Sequence, residues 1–139
     1  MRKVWTALLA AVWLLQGCAG SGASQEAVDC ETKLSAKSWR LVMFDNDPVT
    51  LTPPVTLRIA KGKVSGFDGC NRFFGKASVT PTAVTFGKLG STRRFCRGKA
   101  GAMEKKVLGM LRDKKWWQFD ARGRLVIFDD VHRLIFTAE

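Results

Sequence analysis

Few side chains in this sequence could carry out chemistry, and their spacing argues against most reactions. The chain has 139 residues, one histidine (His132) and four cysteines (Cys18, Cys30, Cys70 and Cys96). A single histidine between Val131 and Arg133, in a turn-like stretch, reads as a surface residue and not as a general base. No serine stands in Gly-x-Ser-x-Gly, so the sharp turn that exposes a hydrolase nucleophile is missing. Gly87-Lys88-Leu89-Gly90-Ser91-Thr92 looks friendly to phosphate but lacks the spacing and the lysine of a phosphate-binding loop. Asp129 and Asp130 are adjacent, would point to opposite faces of a strand, and read better as a turn. Asp68 has no second carboxylate near it in sequence. Cys30, Cys70, Cys96 and His132 could be grouped as zinc ligands, but no short Cys-x-x-Cys pair is present. The expectation is a protein that is not an enzyme, with no catalytic residue, no cofactor and no metal.

The first residues carry a different kind of chemistry. Arg2 and Lys3 are followed by an apolar run from Val4 to Leu15, broken only by Thr6, and then by Leu15-Gln16-Gly17-Cys18. A basic start, an apolar stretch and small residues make a signal peptide. The run is shorter than the ~20 residues a spanning helix needs. Its last four residues resemble a bacterial lipoprotein box. That resemblance implies acylation of the Cys18 thiol, cleavage just before it, and a membrane anchor through the lipid. Ala19 stands where inner-membrane lipoproteins of enterobacteria carry Asp, which implies the outer membrane, facing the periplasm. The plainer alternative is an ordinary secretion signal cut after Gly20.

Residues 1–17 are thus expected to be removed, residues 18–36 to form a small, polar, flexible tether, and residues 37–139 to fold as one domain. The formal charge of the whole chain is +11, and the mature chain keeps +9. Lys88 to Arg124 holds twelve Lys or Arg against three acids, while the rest of the mature chain has nine of each sign. Within that stretch Lys105, Lys106, Arg112, Lys114, Lys115 and Trp116 are the candidate surface-binding residues. Such a cluster could face anionic lipid, lipopolysaccharide phosphates or an acidic envelope protein. It is more often a solvated face. The compartment disfavours nucleic acid, and a monomer is expected.

The elements that must carry these residues are short. Trp39 to Phe44 is an aromatic and aliphatic run ended by Asp45-Asn46-Asp47-Pro48. Val55-Thr56-Leu57-Arg58-Ile59 alternates with period two, and Lys61-Gly62 is a hairpin turn before Val64 to Phe67. Further strands are expected at residues 73–79, 83–89, 116–119, 125–128 and 134–136. Trp117 and Phe119 should face the core, and Trp116 and Gln118 the solvent. One helix is predicted from about Lys99 to Lys114, with Met103, Val107, Met110 and Leu111 on one stripe. The fold class is therefore mainly β (α+β): an antiparallel meander curling into a partly open barrel, with one α-helix packed on it.

Gly66-Phe67-Asp68-Gly69-Cys70-Asn71-Arg72-Phe73-Phe74-Gly75 is followed by Leu89-Gly90-Ser91-Thr92-Arg93-Arg94-Phe95-Cys96. Glu104 lies in the helix, and Leu125-Val126-Ile127 and Leu134-Ile135-Phe136 close the chain. This order resembles the META domain, or HslJ-like, family, with its Gly-x-x-Gly-Cys-Asn and Thr-x-x-x-Cys blocks. Ala77 departs from the aromatic common there. The resemblance implies a small, mostly antiparallel β domain with one helix, no established activity, and a loose link to envelope stress and antibiotic tolerance. Beside it, Cys70 and Cys96 in an oxidising compartment read as a disulfide. Cys30 is left over, with three options: a free thiol, a pairing between molecules, or competition with Cys70 for Cys96.

The functional expectation is a non-enzymatic envelope lipoprotein acting by binding at or near the outer membrane. Two alternatives stand beside it: a small barrel carrying an apolar ligand, and a polyanion binder using the basic 88–124 segment.

Overall fold

The computed structural model describes residues 24–139, with side chains from Val28 onward. The signal segment and Cys18 lie outside the described residues. The elements run α1 (Ser24–Ala36), β1 (Trp39–Phe44), β2 (Asp47–Pro48), β3 (Thr56–Ala60), β4 (Lys63–Phe67), β5 (Arg72–Val79), β6 (Ala83–Phe86), β7 (Gly90–Ser91), α2 (Gly98–Met110), β8 (Asp113–Phe119), β9 (Leu125–Phe128) and β10 (Arg133–Ala138). Among the described residues no helix is long and apolar enough to cross a membrane.

Every strand pairing is antiparallel, and the ladder β1-β3-β4-β5-β6-β8-β9-β10 returns to β1. The barrel is therefore closed, with eight strands, and not partly open. Closure rests on the two ends of the domain, where Trp39 pairs with Ala138 and Phe44 with Leu134. A register shift between Leu41 and Met43 leaves Val42 as a bulge, which bends β1 so that it can meet β10 at one side and β3 at the other. Pairing the first strand with the last removes the two edges that an open sheet would expose.

Period-two alternation fills the lumen. Leu57 and Ile59 from β3, Phe73 from β5, Trp117 from β8, Ile127 from β9 and Phe136 from β10 belong to one buried cluster. An eight-stranded barrel is just wide enough for side chains to fill it. Phe119 packs edge-on against Trp117, with centroids 5.6 Å apart, and also against Trp39. Trp116 and Gln118 face outward, as their positions in the alternation require.

Among the described residues two helices are present, not one. Residues 24–36, expected as part of a flexible tether, form α1, and the Trp39 indole N–H donates to the Leu34 carbonyl at 2.9 Å. Cys30 and Leu34, one helical turn apart, are buried in the core. Cys30 thus lies in the packed interior and not in a tether. α1 lies beside Ile59, Lys61 and Ala77, at the β3–β4 hairpin end of the barrel. α2 lies at the other end, where Met103 stands over Gly69 and the Lys106 ammonium over the Phe44 ring. It ends at Met110, short of the expected Lys114. Leu111 caps it, and Asp113 takes a left-handed conformation that starts β8.

Candidate functional site

The turn between β4 and β5 is built around a buried carboxylate. Asp68 is fully buried, and its Oδ1 accepts the backbone N–H groups of Cys70 (2.9 Å) and Asn71 (2.6 Å). The Asp68 N–H in turn donates to the Asn71 carbonyl. This self-bonded turn is what an Asp followed by Gly encodes. Gly69 sits at φ 104°, with Leu51 and Met103 packed against it. Asp68 Oδ2 has no partner among the described residues.

Asn71 uses the turn as a platform. Its Oδ1 accepts the Thr92 hydroxyl (2.9 Å) and the Arg94 N–H (2.7 Å). Its Nδ2 donates to the Arg94 carbonyl (3.0 Å) and to Glu104 Oε1 (3.1 Å). The Cys70–Cys96 disulfide, with Cα atoms 5.8 Å apart, ties down the same loop. Competition by Cys30 for Cys96 is thereby resolved in favour of Cys70, and the zinc grouping loses two of its thiolates. Among the described residues no cluster of three or more His, Cys, Asp or Glu could hold a metal ion. The Gly-Cys-Asn and Thr-x-x-x-Cys blocks, with Glu104, thus form a latch joining the β4–β5 turn, the 92–96 loop and α2.

The latched loop presents its side chains to solvent. Phe95 is 85% exposed, and the Arg97 guanidinium lies 5.8 Å from its ring centroid. Arg93 and Arg94 are also exposed. Beside the loop, a groove is lined by Arg72, Phe74, Arg94 and the disulfide. Phe95 and the arginines at 93, 94 and 97 were not among the candidates from sequence. The signal was there in an aromatic set among arginines at 93–97, but only the fold shows that the ring is left uncovered.

The candidates that sequence did give stand in several settings. Lys105 and Arg112 share a groove with Lys88. Lys106 covers Phe44, and Lys114 lies 4.5 Å from the centroid of Trp116, which is 43% exposed. Lys115 is held by Asp129 at 3.5 Å with little of its side chain exposed. Asp129-Asp130 is a turn, with Asp129 Oδ1 accepting the N–H groups of Val131 and His132. His132 is exposed, and its Nδ1 lies 2.9 Å from Asp45 Oδ2.

The Arg133 backbone N–H, and then the His132 side chain, hold the Asp45 carboxyl below the usual carboxylate range. The His132 and Val131 N–H groups do the same for Asp129. Burial pushes Asp120 up, but bonds from Arg124 and Arg122 outweigh it and leave Asp120 lowered.

A family model, META domain, matches residues 32–139. Two solved structures are similar in fold. An NMR structure of a protein from Burkholderia xenovorans is 25% identical, with a TM-score of 0.62, covering 78% of this chain and 87% of that one. A second NMR structure is 21% identical, with a TM-score of 0.64, covering 76% of this chain and 91% of that one. No curated protein matches the chain.

Proposed function

The chain belongs to the META domain family, and from that premise we propose that it is a non-enzymatic lipoprotein of the cell envelope. It acts by binding at or near the outer membrane, facing the periplasm, with Cys18 as the acylated anchor. The observation that carries this reading is the basic and apolar leader ending in Leu15-Gln16-Gly17-Cys18. The buried cluster that occupies the lumen supports binding on the outside of the barrel and speaks against the apolar-ligand carrier. A part in envelope stress or antibiotic tolerance is the family-level extension of the reading.

The test is the intact mass of the protein extracted from its own membranes. The expected result is a diacyl or triacyl adduct on a chain that starts at Cys18. An unmodified chain starting near Ser21 would reject the anchor and reopen the soluble readings.

A further inference from the structure

We infer that the outer face of β3, β4 and β5, continued by the 93–97 loop, docks on an anionic phospholipid surface, namely the membrane that holds the anchor. The inference rests on the anchor reading above and adds the surface and its ligand.

Alternation along β5 turns Phe73 and Ala77 inward and leaves Arg72, Phe74 and Lys76 outward. Across the ladder Lys76 pairs with Lys63, and Phe74 with Ser65, which pairs in turn with the exposed Arg58. Two grooves meet at Phe74, which is 57% exposed. One is lined by Lys63, Lys76 and Lys88, the other by Arg72 and Arg94. Glu139 is the one acid among the residues lining them, at the rim of the second. None of these cations takes part in the ion pairs found among the described residues. The fold has drawn Arg58, Lys63, Arg72 and Lys76 from the charge-balanced part of the sequence. It sets them beside Lys88 and Arg94 from the basic part.

Aromatic rings among unpaired Lys and Arg suit a bilayer interface, where the ring enters the headgroup layer and the cations meet phosphates. Phe95 fits that role because the latch fixes its loop at Thr92, Arg94 and Cys96, holding the exposed ring in place. Proximity favours the membrane over a diffusing acidic protein. Residues 19–23, between Cys18 and α1, reach at most about 18 Å when fully extended. α1 itself lies beside Lys61 and Lys76, at one end of the basic face. An anchored domain therefore meets its own membrane at high effective concentration.

The test uses the mature, acylated protein in phosphatidylcholine vesicles with and without phosphatidylglycerol, each containing a brominated lipid that quenches tryptophan. Phe74→Trp and Phe95→Trp add a probe to the face. Val131→Trp adds one to the exposed β9–β10 turn across the barrel. The expected result is added quenching at 74 and 95 that needs phosphatidylglycerol and disappears in high salt, with none at 131. In an Arg72→Glu/Arg94→Glu background that quenching should fall at least fivefold, since each cation lost near the surface weakens binding by about that factor. Quenching at neither position, or equally at 131 and in neutral vesicles, would overturn the proposal. So would a cross-link from residue 95 to an envelope protein without lipid quenching. Mass settles the anchor separately: an unacylated chain removes both readings, whereas an acylated chain without quenching removes only this one.

Discussion

The Asn71 amide donates to the Glu104 carboxylate at 3.1 Å, joining a strand turn to a helix 33 residues further along the chain. The same amide group closes two bonds on Arg94, so one side chain fixes three segments at once. Asn71 is 2% exposed, so its own amide has no solvent to turn to if these bonds are lost.

Asn71→Ala should therefore cost about 1–3 kcal/mol, because the Arg94 N–H and carbonyl and the Glu104 carboxylate lose a partner that is itself buried. Asn71→Asp should cost at least as much, since it removes both donated bonds and sets a carboxylate beside Glu104. Glu104→Gln keeps the acceptor oxygen and should change stability by under about 1 kcal/mol. Urea midpoints of the three variants decide it. Near-wild-type stability for Asn71→Ala would show that the latch does not hold the loop.

The disulfide acts on the same loop. The Cys70–Cys96 bridge spans a sequence separation of 26, and in the chain-entropy treatment its loss costs roughly 3–4 kcal/mol. Cys70→Ala/Cys96→Ala and Asn71→Ala should be non-additive, since both release residues 92–96. A double-mutant cycle read by denaturant unfolding would show coupling above about 0.5 kcal/mol. Strict additivity would mean that the two ties act on separate structures.

Gly66 and Gly109 should respond in opposite directions to alanine. A Cβ on Gly66 would run into the Thr56 carbonyl oxygen across the β3–β4 ladder. Gly66→Ala should thus shift the strands apart and destabilise by about 2 kcal/mol or more. Gly109 lies in α2 with nothing within 4 Å of its would-be Cβ, so Gly109→Ala should stabilise by about 0.5–1 kcal/mol. Thermal melts of the two variants moving the same way would contradict the packing around Gly66 or the helical state of Gly109.

These contacts mark where sequence stops being informative. The alternation in β3 and β5 and the stripe Met103-Val107-Met110-Leu111 are local, and the strands and α2 are legible from them. Barrel closure is not, because it pairs Trp39 with Ala138, at opposite ends of the domain. α1 escapes notice because, among its described side chains, Cys30 and Leu34 alone are buried, too few for a stripe among polar neighbours. The helix end at Met110, capped by Leu111, and the left-handed Asp113 that starts β8 are not announced by their neighbours. Five of the six surface candidates were legible as charge, and Trp116 as an aromatic among them. Of the six cations named on the basic face, four come from outside the 88–124 segment, where the Lys and Arg of the mature chain only equal its Asp and Glu.

Acid should loosen the turns at the α2 end of the barrel before it affects the apolar core. Asp45 is held below its ordinary value of 3.8 by the Arg133 N–H and then by His132, with Lys106 adding a smaller pull. Asp129 is lowered by the N–H groups of His132 and Val131, with Lys115 as its charged neighbour. A carboxyl whose folded value is depressed binds its proton more readily in the unfolded chain. Its contribution is therefore full above the unfolded value and is lost as pH falls through the folded one. The melting temperature should hold from neutral pH to about 4 and decline below it. Asp45→Asn and Asp129→Asn keep an acceptor oxygen but lose the charge. Each should melt below wild type near pH 6, and the gap should close near pH 2, where the wild-type carboxyls are also neutral. A gap that stays constant down to pH 2 would assign the loss to altered hydrogen-bond geometry and remove the charge from the account.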